Sequence, residues 1–471
     1  MADSGSLSRP HIALFPNAGV GHLTPFLRLA ALLIDQRCHV TLITVHPSIS
    51  NAESRLVDHF LSAYPQVNGK RLHLLPFDPS TANSTDPFFL RWEATRRSIS
   101  LLHPLLSSIS PISAIVYDVT LTSPIIPILT QLSLPGYVLF TASARMLAFV
   151  ASIFSNNENK LISSSGQVLK PTDLLEIPGL PPVTVSMIPQ VLLNPKHIFT
   201  EIFRQDCPNL VKSSGILLNT LEKLEPETLH ALNVSTTLPP VHAVGPLLPL
   251  GFEKSCQTRT FYNNNIDDDV TIISWLNDQG PESVVFVCFG SRTPMSRDQI
   301  REIAVGLASC GHKFLWVVKL KTIDREDDDD LDEVLGIELV KRIKESGGLV
   351  VKNWVHQNEL LAHDSVGGFL SHGGWNSMIE AVVNGVRILV WPQLGDQAIS
   401  GQVLETAGIG LWDRSWGWGM QNLVRGQEIA HKVKEMMDSE LLRQAAKLLK
   451  EEAKKAAMES RTLKELVKRW S

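Results

Sequence analysis

Cysteine is scarce here: five in 471 residues, at Cys38, Cys207, Cys256, Cys288 and Cys310. The number is odd and no CxxC pair exists. Reduced thiols in a cytoplasmic protein are therefore expected, rather than a disulfide framework or a zinc site. Charge of one sign is lacking too. Lys and Arg total 43 against 48 Asp and Glu, a formal net charge of −5, which offers no basic field to nucleic acid or to an anionic membrane surface. The opening MADSGSLSRP has no apolar stretch of the kind a leader peptide needs. Long uninterrupted apolar runs are also missing. The uncharged stretch Val119 to Ala144 is broken by Pro124, Pro127 and Pro135, so a buried helix and then a buried strand are expected, not a membrane span. A full GxGxxG is absent, since Gly19 and Gly21 lack their third partner; this disfavours a dinucleotide site. The acidic run Asp324–Glu333 reads as a solvated loop, because like charges in series lack the convergent geometry of metal ligands. No metal and no other cofactor is expected.

What is present is alternation. The hydrophobic fraction is 44%, enough for a sizeable core. Short apolar runs read as strands: His11–Phe15, Val40–Thr44, Leu72–Pro76, Ala114–Asp118, Tyr137–Phe140 and Gly215–Asn219, the last closing a first sheet. Leu23–Gln36 has helical spacing. A second series follows: Val284–Phe289, Phe314–Val318, Leu349–Lys352, Gly367–Ser371 and Arg387–Trp391. These runs are continuously apolar rather than alternating, as parallel strands covered on both faces are. The expected fold class is α/β with two Rossmann-like domains, 1–242 and 271–471, the second carrying the C-terminal helix. A Pro/Gly-rich and then polar linker, 243–270, joins them. That helix is expected to break near Glu459–Thr462.

Three constellations carry chemistry. In FPNAGVGHLTPF a strand ends, a Gly-containing loop turns and a helix begins, with His22 in the turn at the carboxyl edge of the sheet, where open α/β folds bind ligands. Asp118 ends another strand at the same edge. It can orient an imidazole and stabilise its charged form, or simply cap the next helix. In HGGWNS, His372–Ser377, a Gly-rich turn opens a helix and presents backbone N–H groups to a diphosphate. Glu380 lies one turn deeper, suited to two vicinal ribose hydroxyls, and Trp354 offers a ring for base stacking. Asp396 and Gln397 follow a strand and can read sugar hydroxyls.

The segment Trp354 to Gln397 closely resembles the PSPG box of plant family-1 UDP-glycosyltransferases, and the resemblance extends over essentially the whole chain. It implies a GT-B fold, an acceptor-binding first domain and a nucleotide-sugar-binding second domain that face a cleft. It also implies that Trp354 and Val355 contact uracil and that Gln357 and Glu380 hold the ribose. His372, Asn376 and Ser377 would contact the diphosphate, and Trp375, Asp396 and Gln397 the sugar. His22 matches the general base and Asp118 its partner, while Gly21, Thr141 and Ser291 join the donor set. Gly373 stands where the family commonly has Cys, and AIS follows Gln397 where many members have a pair ending in Asn. Gln397 itself, rather than His, leans toward glucose. The stretches STDPFFLRWEATRRS, GHLTPFLRLA and SRTPMSRDQI, with Arg292, look like plant C-glucosyltransferases that act on 2-hydroxyflavanones and acylphloroglucinols. Phe88, Phe89, Arg91 and Trp92, with Arg145 and Met146 opposite, are the candidate acceptor wall. The partners implied are UDP-glucose and a small phenol, taken up by a monomer; a flavonoid O-glucosyltransferase and a non-catalytic nucleotide-sugar-binding protein remain the alternatives.

Overall fold

In the computed structural model, residues 9–48, 50–155, 160–162, 167–251, 253, 267–290, 295–319, 331–352, 355–419 and 421–471 are described. The chain divides into two compact units. One runs to Leu248 and includes Ala456–Ser471; the other is Pro249–Lys455.

The first unit is built on β1 (His11–Phe15), β2 (His39–His46), β3 (Asn68–His73), β4 (Ala114–Asp118) and β5 (Gly136–Phe140). A two-stranded pair, β6 (Leu174–Leu175) and β7 (Val183–Thr184), stands apart, and β8 (Gly215–Leu218) and β9 (Val241–Ala243) complete the main sheet. Its order is β3-β2-β1-β4-β5-β8-β9, with every pairing parallel. The strands β4, β5 and β8 are buried at every residue, as their continuous apolar runs require. After β1 the chain winds outward one way, and from β4 onward the other way. The carboxyl ends of β1 and β4 therefore flank the point where strand order reverses, the favoured ligand position in such sheets.

The second unit repeats this plan. Its strands are β10 (Val284–Cys288), β11 (Lys313–Val317), β12 (Leu349–Val351), β13 (Val366–Ser371), β14 (Arg387–Val390) and β15 (Gly410–Trp412). The order is β12-β11-β10-β13-β14-β15, again parallel throughout. Here the reversal lies between β10 and β13.

Several expectations need correction. The third strand was expected at Leu72–Pro76 and occupies Asn68–His73 instead; it is a sheet edge, mostly polar and exposed, so an apolar run does not mark it. Gly215–Leu218 does not close the first sheet, because β9 pairs beyond it. The C-terminal helix does break where expected, with Ser460 at φ 41 between the helices Glu440–Glu459 and Arg461–Trp470. The last of these belongs to the first unit rather than the second, and Trp470 meets Tyr137 of β5 edge-on at 5.2 Å between ring centres. The stretch after Val119 forms the helix Thr122–Leu132 and then β5. Among the described residues, no helix is long and apolar enough to cross a membrane. Most of the acidic run Asp324–Glu333 and much of the expected linker lie outside the described residues.

Candidate active site

In the first unit, helix α1 (Val20–Asp35) starts directly after the loop that follows β1, and its first turn carries His22. Asp118 is the last residue of β4, so neighbouring strand ends bring the two together. His22 Nδ1 lies 2.7 Å from Asp118 Oδ2; the Asp118 side chain is fully buried and that of His22 is 19% exposed. A carboxylate only accepts, so Nδ1 carries the proton and Nε2 is left with its lone pair. The other oxygen, Asp118 Oδ1, accepts from the Thr120 N–H (3.0 Å) and hydroxyl (2.6 Å). Asp118 thus caps a 3₁₀ turn and orients an imidazole at once. The Thr120 hydroxyl accepts in turn from Asn17 Nδ2 at 2.7 Å. Thr141 Oγ1 stands 3.3 Å from His22 Nδ1. Gly21 is exposed in the same first turn.

A second helix packs onto this dyad. With α2 at Asn51–Ala63, helix α3 follows at Pro87–Arg97 and is capped by Asp86, whose carboxylate accepts from the Phe88 N–H at 2.8 Å. Trp92 meets the His22 ring edge-on at 4.8 Å, and Phe88 lies 6.2 Å from it. Trp92 is 2% exposed, and its indole N–H donates to the Ala18 carbonyl at 2.9 Å. Within the expected wall it thus packs against His22 and is largely covered. Phe88 and Phe89 remain partly exposed. Arg91 is half-buried, and burial lowers its pKa against the pull of Glu53. Arg145 and Met146 are both buried at the start of the helix Ala144–Ile153. There the Ala144 and Arg145 N–H groups donate to Glu225 at 3.0 and 2.9 Å.

In the second unit, His372 follows β13. A Cβ on Gly290 would stand 2.9 Å from its Nε2, and one on Gly374 only 2.5 Å away. Two positions without side chains thus leave room for the ring at the reversal point. Burial holds its pKa down to about 4, although a hydrogen bond to the Cys288 backbone works the other way; the imidazole is neutral near pH 7. The helix Trp375–Asn384 begins at once, and its N-cap residue is Gly374, which has no side chain. Its first-turn N–H groups are donors suited to an anion. Gln357 Nε2 reaches Glu380 Oε2 at 2.8 Å and Ser377 Oγ at 3.0 Å, so three of the expected donor residues share one cluster. Trp375 is 3% exposed, Asn376 lies beside it, and Val355 is buried two residues before Gln357. Gln397 Oε1 accepts from the Gln393 and Leu394 N–H groups at 2.8 and 2.9 Å. Its amide NH2 remains the donor end of the side chain. Asp396 is the N-cap residue of the helix Gln397–Thr406.

Trp354, Ser291 and Arg292 lie outside the described residues. Sequence reading missed Asn17, Thr120 and Glu53, the last of which accepts from the Gly19 N–H at 2.6 Å. Thr120 carried a signal, since Asp-x-Thr is the spacing of a turn closed by the Asp side chain. Phe199 was also missed; it packs 5.5 Å from Phe89 and 5.8 Å from Trp92. Among the described residues, no group of three or more His, Cys, Asp or Glu is placed to hold a metal ion.

Comparison with known proteins finds relatives along the whole chain. The family described as UDP-glucoronosyl and UDP-glucosyl transferase matches residues 263–417. UDP-glycosyltransferase 708G2 of Citrus unshiu is 52% identical over 480 residues, covering 100% of this chain and 98% of that protein. The crystal structure of LpCGTa in complex with UDP superimposes with a TM-score of 0.82 at 41% identity, covering 98% of this chain and 100% of that one. UGT71G1 of Medicago truncatula, crystallised with UDP-glucose, gives a TM-score of 0.81 at 25% identity, covering 98% of each chain.

Proposed function

This chain belongs to the plant family-1 UDP-glycosyltransferases, with the GT-B fold of that family, and we propose that it moves glucose from UDP-glucose onto an aromatic polyphenol, forming a C-glucoside on a phloretin-like or 2-hydroxyflavanone acceptor. The observation that carries transfer, rather than mere binding, is the His22–Asp118 pair at 2.7 Å. A protein that only bound a nucleotide sugar would have no use for an oriented base.

In this reading, His22 Nε2 takes a proton from an acceptor phenol, and buried Asp118 stabilises the imidazolium that forms. The activated acceptor attacks the anomeric carbon opposite UDP, so configuration inverts. The leaving diphosphate is held by the N–H groups opening Trp375–Asn384 and by His372 acting as a neutral donor. Gln357 and Glu380 take the ribose, and Asp396 with the amide N–H group of Gln397 takes the sugar. A phenolate flanked by meta hydroxyls carries charge on its ortho carbons, so carbon or oxygen attacks according to which is held aligned. The likeness of the DPFFLRWE stretch to C-glucosyltransferases supports carbon. The partly exposed Phe88 and Phe89 are the side chains against which such an acceptor would orient.

The test is incubation of the purified protein with UDP-glucose and phloretin, followed by hot acid or a β-glucosidase. A C-glucoside survives both. Recovery of phloretin and glucose would establish an O-glucosyltransferase, and no product from any polyphenol would overturn transfer. Turnover is expected to be the same in EDTA.

A further inference from the structure

Helix α3 presents three residues at spacing i, i+4, i+8 on one face: Phe88, Trp92 and Arg96. The first two pack around His22. The third is a buried cation, and the mechanism above does not use it. Arg96 Nη1 donates to Asp206 Oδ2 at 2.7 Å and also to the backbone carbonyl of Thr120. Its Nη2 donates to Ser123 Oγ at 2.8 Å and to Gln205 Oε1 at 2.9 Å. Asp206 is fully buried and closes the circuit by accepting from the Ser123 N–H at 2.8 Å.

Thr120 is the hinge of this arrangement. Its N–H and hydroxyl hold Asp118 Oδ1, and its carbonyl is held by Arg96. The turn that aims the Asp118 carboxylate is therefore gripped from behind by a guanidinium, and Asp206 balances that charge. An isolated cation at this place would draw on the Asp118 charge that His22 needs. A buried pair is a poor device for stability alone, because desolvation cancels much of its attraction. Its placement makes sense as a device for geometry.

We propose that the Arg96–Asp206 pair is a positioning element for the His22–Asp118 base: through the Thr120 carbonyl it fixes the Asp118 carboxylate, and its neutrality leaves that carboxylate free to support the imidazolium. This rests on the reading of His22 as the base. Arg96 touches no substrate and acts only through Thr120 and Asp118.

The test replaces both charges with apolar side chains, Arg96→Met with Asp206→Leu, since such exchanges of a buried pair often leave stability unchanged. With UDP-glucose and phloretin, kcat should fall roughly tenfold to a hundredfold, while the KM values for donor and acceptor stay near those of the native protein. Asp206→Asn alone, nearly isosteric, should lower kcat in the same way by leaving Arg96 uncompensated. A second readout needs no substrate: the low-field proton resonance of the His22–Asp118 hydrogen bond should move or broaden in both variants. A folded double variant or Asp206→Asn protein with native kcat and an unmoved resonance would overturn the proposal. A native protein that transferred no glucose would instead sink the functional reading, and the resonance would still decide whether the pair positions the dyad.

Discussion

His22 is the residue on which turnover should depend most. His22→Ala is expected to lower kcat by on the order of 10² or more, while affinity for UDP, whose site is assigned to the other unit, stays unchanged. Steady-state kinetics with phloretin and calorimetry with UDP check the two halves of that statement, and near-native turnover would remove His22 from the mechanism. His372 leads to a pH prediction. Burial lowers its pKa from the ordinary 6.5 to about 4. A folded-state pKa below the unfolded one gives stability that is present above pH 6.5 and lost as pH falls toward 4, because the unfolded imidazole takes up a proton that the folded one refuses. Urea titrations of the native protein should therefore show stability falling across that window. In His372→Gln, which has no proton to gain, the fall should be shallower; equal slopes would mean that the ring is not held neutral.

At the scale of elements, the helix Trp375–Asn384 joins an N-terminus that starts from Gly374 to the Gln357–Ser377–Glu380 cluster one turn on. Glu380→Ala should weaken UDP binding by about 1–3 kcal/mol, since it removes a ribose acceptor and one of the two acceptors of the Gln357 amide. Calorimetry finding native affinity would contradict the ribose assignment. The same helix shows why much of the site was legible in the sequence. Strands covered on both faces announce themselves as apolar runs, so His11–Phe15 and Ala114–Asp118 could be read to the residue. Residues just past such strands then fall at the carboxyl edge, which placed His22, Asp118 and His372 correctly. Edge strands carry a weaker mark: β3 is largely polar and β9 and β15 have three residues each, although β12 was read from its apolar run. Side chains that act by hydrogen bonding across long sequence separations, such as Asn17 to Thr120 or Arg96 to Asp206, leave no local pattern at all.

For the whole molecule, the informative element is the last helix. Its amphipathic pattern said that Arg461–Trp470 packs on something, but periodicity does not name the partner. Leu463, Leu466 and Trp470 are its buried residues, and Trp470, 6% exposed, closes on Tyr137 of β5. The chain thus returns to the unit in which it began. This separates stability from donor binding in a way that can be measured. Trp470→Ala should destabilise the protein by about 3 kcal/mol through the cavity it opens, with the loss seen as a lower thermal midpoint. Affinity for UDP, measured well below that midpoint, should be native because the donor residues belong to the other unit. Trp470→Phe is the sharper variant. The Trp470 indole N–H is buried with no hydrogen-bond acceptor among the described residues, so Phe gives up some contact area and no hydrogen bond, and it relieves an unmet donor. It should cost far less than alanine. A Phe variant as unstable as Ala would mean that the indole N–H has an acceptor after all, and a loss of UDP affinity in either variant would mean that the last helix also supports the donor site.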